Sequence, residues 1–378
     1  MAGESMNRFA DSAAMPARLK RAAKVAVTEV VKAGKGERVV IITNPVREVH
    51  AISMALYDAA LEAGASPTLV VQPVKTQMDF ADDAVINAMS SRPEIIMSVS
   101  HLKLGKDRFA MKKPYRVGKR SIEHIFNYLR ASKKTRGFWS PSVTIRMFED
   151  TIPIDYAKLS ANCLKLKAVF DRAVEARITT KIGTDLVLGL RGRKAMTDDG
   201  NFSAPGRGGN LPAGEMYISP ELGRGEGTLV FDGCISSDKG VIIIREPIRA
   251  TVKKNLVTKI TGAEEARRLI ATLERARQNT RKFARESKIS RQDLPEYLEN
   301  TCNLGELGIG LNEKARIVGN MLEDEKVFRT CHIAIGSNYD DDAKALIHLD
   351  GLVKDPTIET RDAKGRRTLA VKDGRIMI

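Results

Sequence analysis

Histidine is scarce in this chain, and its placement decides which chemistry the sequence can support. There are five histidines: His50, His101, His124, His332 and His348. The last two fall in a stretch rich in acids, where from Thr301 to Asp350 nine Asp/Glu stand against five Lys/Arg, a net of −4. Four fragments of that stretch read as ligand-bearing strand ends or loops: residues 303–310 with Glu306, the acidic triplet Glu323-Asp324-Glu325, residues 331–336 with His332, and residues 346–351 with His348 and Asp350. A His-x-Asp pair on a strand points both side chains to one face, because residues i and i+2 share a face. Carboxylates and imidazoles set among Ile and Leu are costly to bury alone, and a divalent ion supplies the missing partner. Singly, the residues have plainer readings: Glu306 as an ion-paired core residue, His348 as a loop cap. Together, with glycines close to several of them, they favour a metal site.

The elements that must hold these residues follow from the apolar spacing. Residues 16–32 have helical periodicity and end at Gly34 and Gly36; residues 37–43 read as a buried strand; Pro45 opens a helix that runs to Gly64. A second strand at 67–71, a helix at 81–89 and a third strand at 94–99 complete an alternation that implies a parallel, doubly wound sheet. Ligands in such sheets sit beyond the carboxyl ends of the strands, here near Asn44 and His101. No glycine-rich dinucleotide fingerprint follows the first strand, so no nucleotide cofactor is indicated. Residues 154–174 read as a long helix, 176–181 and 185–190 as strands joined across Gly183, 191–210 as a glycine-rich loop, and 262–286 as a charged helix. The expectation is an α/β protein with two domains: an N-terminal doubly wound domain over residues 1–150, and a C-terminal α+β domain over 151–378 that carries the metal site.

Composition bounds the function classes. A length of 378 residues with 43% hydrophobic content suits two ordinary cores. No apolar run approaches the roughly 18 residues of a membrane helix. Glu4 and Asp11 precede any basic cluster, so no secretory signal is expected, and four cysteines without short paired spacing read as reduced thiols; both point to the cytoplasm. The formal net charge of +15 is uneven: between Lys103 and Arg136 twelve Lys/Arg stand against Asp107 and Glu123, a net of +10. Such a block suits nucleic acid or acidic substrates, but a solvated face or subunit contact is the commoner explanation. An aromatic content of 5% weakens any base-stacking role.

The fragments at residues 210–215, 303–310, 324–334 and 347–350 occur in the order seen in the thermophilic aminopeptidase T/aminopeptidase S family, metallo-aminopeptidases that are leucyl aminopeptidase-like, and the chain resembles that family over about residues 152–350. The resemblance implies a dinuclear centre with Glu215, Glu306, Glu325, His332, His348 and Asp350 as ligands, one carboxylate bridging. It implies a homodimer, and a tyrosine seven residues after the first histidine, where Tyr339 stands. Two divalent ions (Zn, Co, Mn or Mg) would lower the pKa of a shared water and hold an oxyanion, so the implied activity is proteolysis: hydrolase cleavage of an N-terminal residue or related amide. Glu215 or Glu325 would take the water's proton, and Tyr339 would donate to the oxyanion. Two departures bear on the substrate pocket. The segment between Glu325 and His332 is longer than in the family, and the loop between His332 and His348 is shorter and carries Asp340-Asp341-Asp342.

A different enzyme class competes. Some relatives of these aminopeptidases resemble mononuclear non-haem Fe(II) ring-cleaving dioxygenases of the 2,5-dihydroxypyridine dioxygenase type. Two histidines and one carboxylate with open positions suit Fe(II), His348 and Asp350 could supply two of the three, and His101 would be an acid/base candidate. A third reading, a degenerate peptidase fold holding nucleic acid on the basic block, lacks any recognisable nucleic-acid module. The expected partner is therefore a small-molecule or peptide substrate, possibly acidic, with no membrane and nucleic acid disfavoured.

Overall fold

A computed structural model describes residues 15–118 and 120–378. Glu4 and Asp11, on which the expectation about a secretory signal rests, and Lys119 of the basic block lie outside the described residues. The fold is mixed α/β, as the order of elements implies.

The contacts group the chain into two compact units, the first made of the described residues through Ser160 together with Asp198–Ala213. The sequence places a single boundary near Asp150; in the structure a later excursion, 198–213, also belongs to the first unit. Its sheet is wholly parallel and runs Gly208–Asn210, Arg136–Pro141, Ile95–Ser100, Arg38–Thr43, Ser66–Val71. The central strands Arg38–Thr43 and Ile95–Ser100 are buried almost throughout, which explains their unbroken apolar runs. Val40, Ile42 and Ile96 pack there with Val85, Ile86 and Met89 of the helix Asp83–Ser90 and with Phe126 and Leu129 of the helix Ile125–Ala131. The strand Gly208–Asn210 falls in the stretch read from sequence as loop; three residues with two glycines carry no strand periodicity.

The carboxyl ends of the first and third strands are tied together by Asn44. Its side-chain amide donates to the carbonyls of Gln72 and Pro73 at 3.0 and 3.1 Å, and its Oδ1 accepts the His101 N–H at 2.8 Å. Asn44 thus closes the strand ends, while the His101 side chain is exposed. The basic block is also partly structural. Arg136 is 6% exposed, ion-paired with Glu37 at 2.6 Å, and donates to the carbonyls of Val31 and Lys32. Arg130 lies over the Trp139 ring at 4.6 Å, and His124 caps the helix Ile125–Ala131 by accepting the Phe126 N–H.

The second unit, Ala161–Thr197 with Gly214–Ile378, is built from antiparallel sheets. In one, the hairpin Ala173–Thr179/Asp185–Gly189 sits between Gly225–Phe231 and Thr357–Asp362. The other runs Gly240–Ile243, Cys234–Ser237, His348–Lys354, Thr330–Gly336, Leu304–Gly310 and Glu215–Ile218, each antiparallel to the next. Every residue of Leu304–Gly310 and of Thr330–Gly336 is buried, so both faces of these strands are covered. The four cysteines are buried and unpaired with one another. Among the described residues no helix is long and apolar enough to cross a membrane.

Candidate metal centre

Strand register assembles the centre. Directly opposed residues of an antiparallel pair share a face, as do residues i and i+2. Glu215 opposes Gly310, Gly308 opposes His332, Glu306 opposes Ala334, Ala334 opposes Asp350, and Gly336 opposes His348. One face of four strands therefore presents Glu215, Glu306, His332, His348 and Asp350, and the positions between them on that face are Gly308, Gly310, Ala334 and Gly336. The small residues keep that face free of bulk, and at one of them a charged side chain takes the space directly. That residue is Gly308: a Cβ there would lie 1.9 Å from His332 Nε2.

Glu306, 3% exposed, lies between the two imidazoles, with Oε1 3.1 Å from His332 Nε2 and Oε2 3.1 Å from His348 Nε2. His332 Nε2 also approaches Glu215 Oε2 at 3.5 Å, and His348 Nε2 approaches Asp350 Oδ1 at 3.2 Å. The donor atoms form two groups, in each of which all lie within 4.8 Å of one another: Glu215–Glu306–His332 and Glu306–His348–Asp350. Glu306 belongs to both. His348 Nδ1 lies 2.8 Å from the Ser337 carbonyl, an acceptor, so Nδ1 carries the proton and Nε2 faces the carboxylates. Four buried atoms here lack a hydrogen-bond partner: Glu215 Oε2, His332 Nδ1, His348 Nε2 and Asp350 Oδ1. Buried polar atoms are rarely left so. Orphaned carboxylate oxygens beside an imidazole nitrogen are the donor set a divalent cation takes, so the residues fit a metal.

Electrostatics agrees. Burial works to lower the His332 pKa, but the hydrogen bond and charge of Glu306 outweigh it and raise the value to about 9. His348 is likewise raised well above its ordinary value, with Asp350 and Glu306 overcoming burial. Asp350 is lowered to about 2, because the His348 charge overrides the cost of burial. Without a metal the imidazoles must hold protons to balance the carboxylates; a metal would displace them.

Glu325 joins neither donor group. It follows the short helix Met321–Asp324, and its Oε1 accepts from Lys326 Nζ at 2.6 Å. Burial, with Glu215 and Asp350 nearby, pushes its carboxyl up to about 8 despite Lys326. Its neighbours Glu323 and Asp324 shape the preceding loop: Glu323 accepts the Arg316 N–H, and Asp324 accepts those of Val318 and Gly319. Tyr339 is 53% exposed, with its ring centroid 5.2 Å from His348 and 5.2 Å from Tyr217. Desolvation and the charges of Glu306 and Asp350 push its hydroxyl up, so it stays a donor. The acidic loop after it is anchored by Arg193, paired with Asp340 at 3.3 Å and Asp342 at 2.8 Å.

Two neighbours of the centre escape the sequence reading. Lys326 has no exposed side-chain surface, and its Nζ donates to Glu215 Oε1 at 2.5 Å as well as to Glu325. Nothing local marks it among 62 Lys/Arg. Tyr217 could have been found by its i+2 relation to Glu215 on a strand.

Comparison with known proteins divides along the two enzyme classes. A family model described as NicX: 2,5-dihydroxypyridine 5,6-dioxygenase matches residues 145–332, a span that includes Glu215, Glu306, Glu325, Lys326 and His332 and stops before His348. The structure is similar to that of 2,5-dihydroxypyridine dioxygenase from Pseudomonas putida KT2440, with TM-score 0.69 and 16% identity, over 95% of this chain and 96% of that one. It is also similar to wild-type AmpT from Thermus thermophilus, with TM-score 0.64 and 18% identity, over 96% of this chain and 99% of that one. At these identities the likeness establishes a shared fold. No curated protein matches the sequence. The resemblance to aminopeptidases is thus matched at the level of fold by AmpT, while the family model that fits the sequence is that of a dioxygenase.

Proposed function

We propose that the protein is a metal-dependent dioxygenase that opens a small hydroxylated aromatic ring of the dihydroxypyridine kind, using one Fe(II) held by Glu306, His348 and Asp350. The observation that carries this reading is the aromatic wall at that donor group, where Tyr339 packs against both His348 and Tyr217. Flat rings stack against such a wall. The dioxygenase family model and the P. putida neighbour support the same class. The donor set departs from two histidines and one carboxylate: His332 lies on the far side of Glu306, in the other group.

Fe(II) held by imidazole and carboxylate with open positions would activate dioxygen, the electrons coming overall from the hydroxylated ring that is oxidised. Both oxygen atoms end in the ring-opened product, so no external reductant is required. The chain's own residues bind and move protons. Tyr339, kept protonated, donates to an oxygen of the ring. Glu325, raised to about 8, is poised to exchange a proton with a ring hydroxyl near neutral pH. The covered strands keep bulk water from the centre.

A second reading, a dinuclear aminopeptidase, draws on the position of Glu306 in both donor groups, where a bridging carboxylate would sit. One experiment separates the two. Protein loaded anaerobically with Fe(II) is given 2,5-dihydroxypyridine and related hydroxylated rings while oxygen uptake and ring absorbance are followed. The same protein loaded with Zn(II) or Co(II) is assayed on aminoacyl p-nitroanilides. Stoichiometric oxygen uptake with loss of ring absorbance is expected; amide hydrolysis without oxygen uptake would reverse the assignment.

A further inference from the structure

Lys326 is a fully buried lysine in contact with Glu215, a carboxylate that a second metal ion would need. Its Nζ lies 2.5 Å from Glu215 Oε1 and 2.6 Å from Glu325 Oε1, and its side chain has no exposed surface. A contact that short with the Glu215 carboxylate is that of an ammonium with its charge paired, and Glu325 accepts a second hydrogen bond from it. A buried lysine without such partners would be costly. Glu215 is also a member of the Glu215–Glu306–His332 donor group. An ion bound there would share Glu215 with the ammonium, so two cations of like sign would stand close together in a dry interior, where repulsion is poorly screened. The other group is centred on His348 Nε2, which faces carboxylate oxygens of Glu306 and Asp350.

We infer that Lys326 is a built-in cation that takes the place of a second metal ion, so that this fold, whose donor atoms form two groups, holds a single divalent ion in the Glu306–His348–Asp350 group. The inference deepens the ring-cleaving reading and rests on it only for the identity of the ion. Lys326 is a positioning residue: it fixes Glu215 and Glu325 and sets the metal count.

The test counts metal. Wild type, Lys326→Met, Lys326→Gln and Lys326→Arg are purified without added metal, equilibrated with Mn(II), passed through a desalting column and analysed for manganese per chain and by electron paramagnetic resonance. Wild type and Lys326→Arg are expected to hold about one ion. Lys326→Met and Lys326→Gln are expected to hold about two, with the spectrum of a spin-coupled pair and thermal stability that rises with the second equivalent. Two ions in the wild type, or one in both neutral variants, overturn the inference. So does failure of both neutral variants to fold in excess Mn(II), because a divalent ion must be able to replace the ammonium. Oxygen uptake is measured separately on the wild type. A wild type with one ion that fails to open any ring, while the neutral variants take up two, sinks the ring-cleaving reading and leaves the role of Lys326 standing.

Discussion

Gly308→Ala is the smallest change that reaches the centre, and its consequence can be worked from distances. Gly308 faces His332 across the strands, and a Cβ there would lie 1.9 Å from Nε2, 2.2 Å from Cε1 and 2.7 Å from Cδ2. Ordinary van der Waals contact requires the ring to retreat by about 1.5 Å. His332 is 1% exposed on a strand buried along its whole length, so it has no open space to enter. A retreat of that size breaks the 3.1 Å contact with Glu306 Oε1. Loss of one charge-assisted hydrogen bond, with local overpacking, should cost about 2–4 kcal/mol. Divalent metal affinity should fall about 10- to 100-fold if the imidazole supports the centre directly or through Glu306. The assay is thermal unfolding with and without metal, alongside Mn(II) titration followed calorimetrically. Gly34→Ala is the control, since a Cβ there meets only Glu37 at an ordinary 3.6 Å. A Gly308→Ala protein with unchanged melting and affinity would refute the idea that the ring is held against Glu306 by the bare glycine.

Three further outcomes follow from the same geometry. Glu306→Gln removes the one carboxylate common to both donor groups, so metal content measured after desalting should drop to background and turnover with it, while circular dichroism stays close to wild type; retained metal would contradict the shared role. The metal-free protein should lose stability as pH rises from about 5 to 9. His332 (about 9, ordinarily 6.5) and Glu325 (about 8, ordinarily 4.5) both bind protons more tightly when folded, so their contribution is full below the unfolded values and is lost through the folded ones. Melting temperatures across that range should fall without metal and fall less steeply with saturating metal, whose charge disfavours the same protons; the reverse order would show the assigned protons to be elsewhere. Arg136→Ala should destabilise the protein by about 1–3 kcal/mol by leaving the Val31 and Lys32 carbonyls without their donor and the half-buried Glu37 without its partner, whereas Lys112→Ser, at an exposed site, should leave the melting temperature unchanged.

Sequence periodicity carried the parallel sheet well, because strands such as Arg38–Thr43 and Ile95–Ser100 are apolar runs bounded by clear turn residues. It did not carry Gly208–Asn210, whose pairing beside Arg136–Pro141 depends on backbone hydrogen bonds that glycine makes without a side-chain signature. In the centre, the His-x-Asp spacing announced that His348 and Asp350 share a face, and Nε2 and Oδ1 do meet at 3.2 Å. Glu215 was legible only through the resemblance to aminopeptidases; its nearness to Glu306 and His332 arises from the register of Glu215 with Gly310. Glu325 shows the limit. Its acidic neighbourhood read as ligand-rich, yet Glu323 and Asp324 serve backbone amides and Glu325 itself accepts from Lys326. The basic block had the same weakness in the other sign, since charge counting cannot tell a buried, bonded Arg136 from an exposed lysine.

The charge balance of the centre explains why such a cluster can be buried. Glu215, Glu306 and Asp350 are each less than 9% exposed, and Glu325 lies beside them. A run of carboxylates in a covered sheet is unstable unless cations enter with it. Lys326 supplies one positive charge through the chain itself, and His332 and His348 supply two more when protonated, as their raised pKa values require. A divalent ion in the Glu306–His348–Asp350 group replaces the His348 proton with a charge that does not depend on pH. Binding it therefore releases protons and becomes tighter as pH rises through the imidazole range. The strands reach this balance with small residues on the shared face: a side chain at Gly308 would displace the His332 imidazole, and Gly310, Ala334 and Gly336 keep the positions beside it free of bulk. Gly308 in Leu304–Gly310 is thus part of the centre's electrostatics: its missing Cβ is the room that the His332 imidazole takes beside Glu306, whereas Gly305 and Gly310 admit the backbone at Ser337 and Val327.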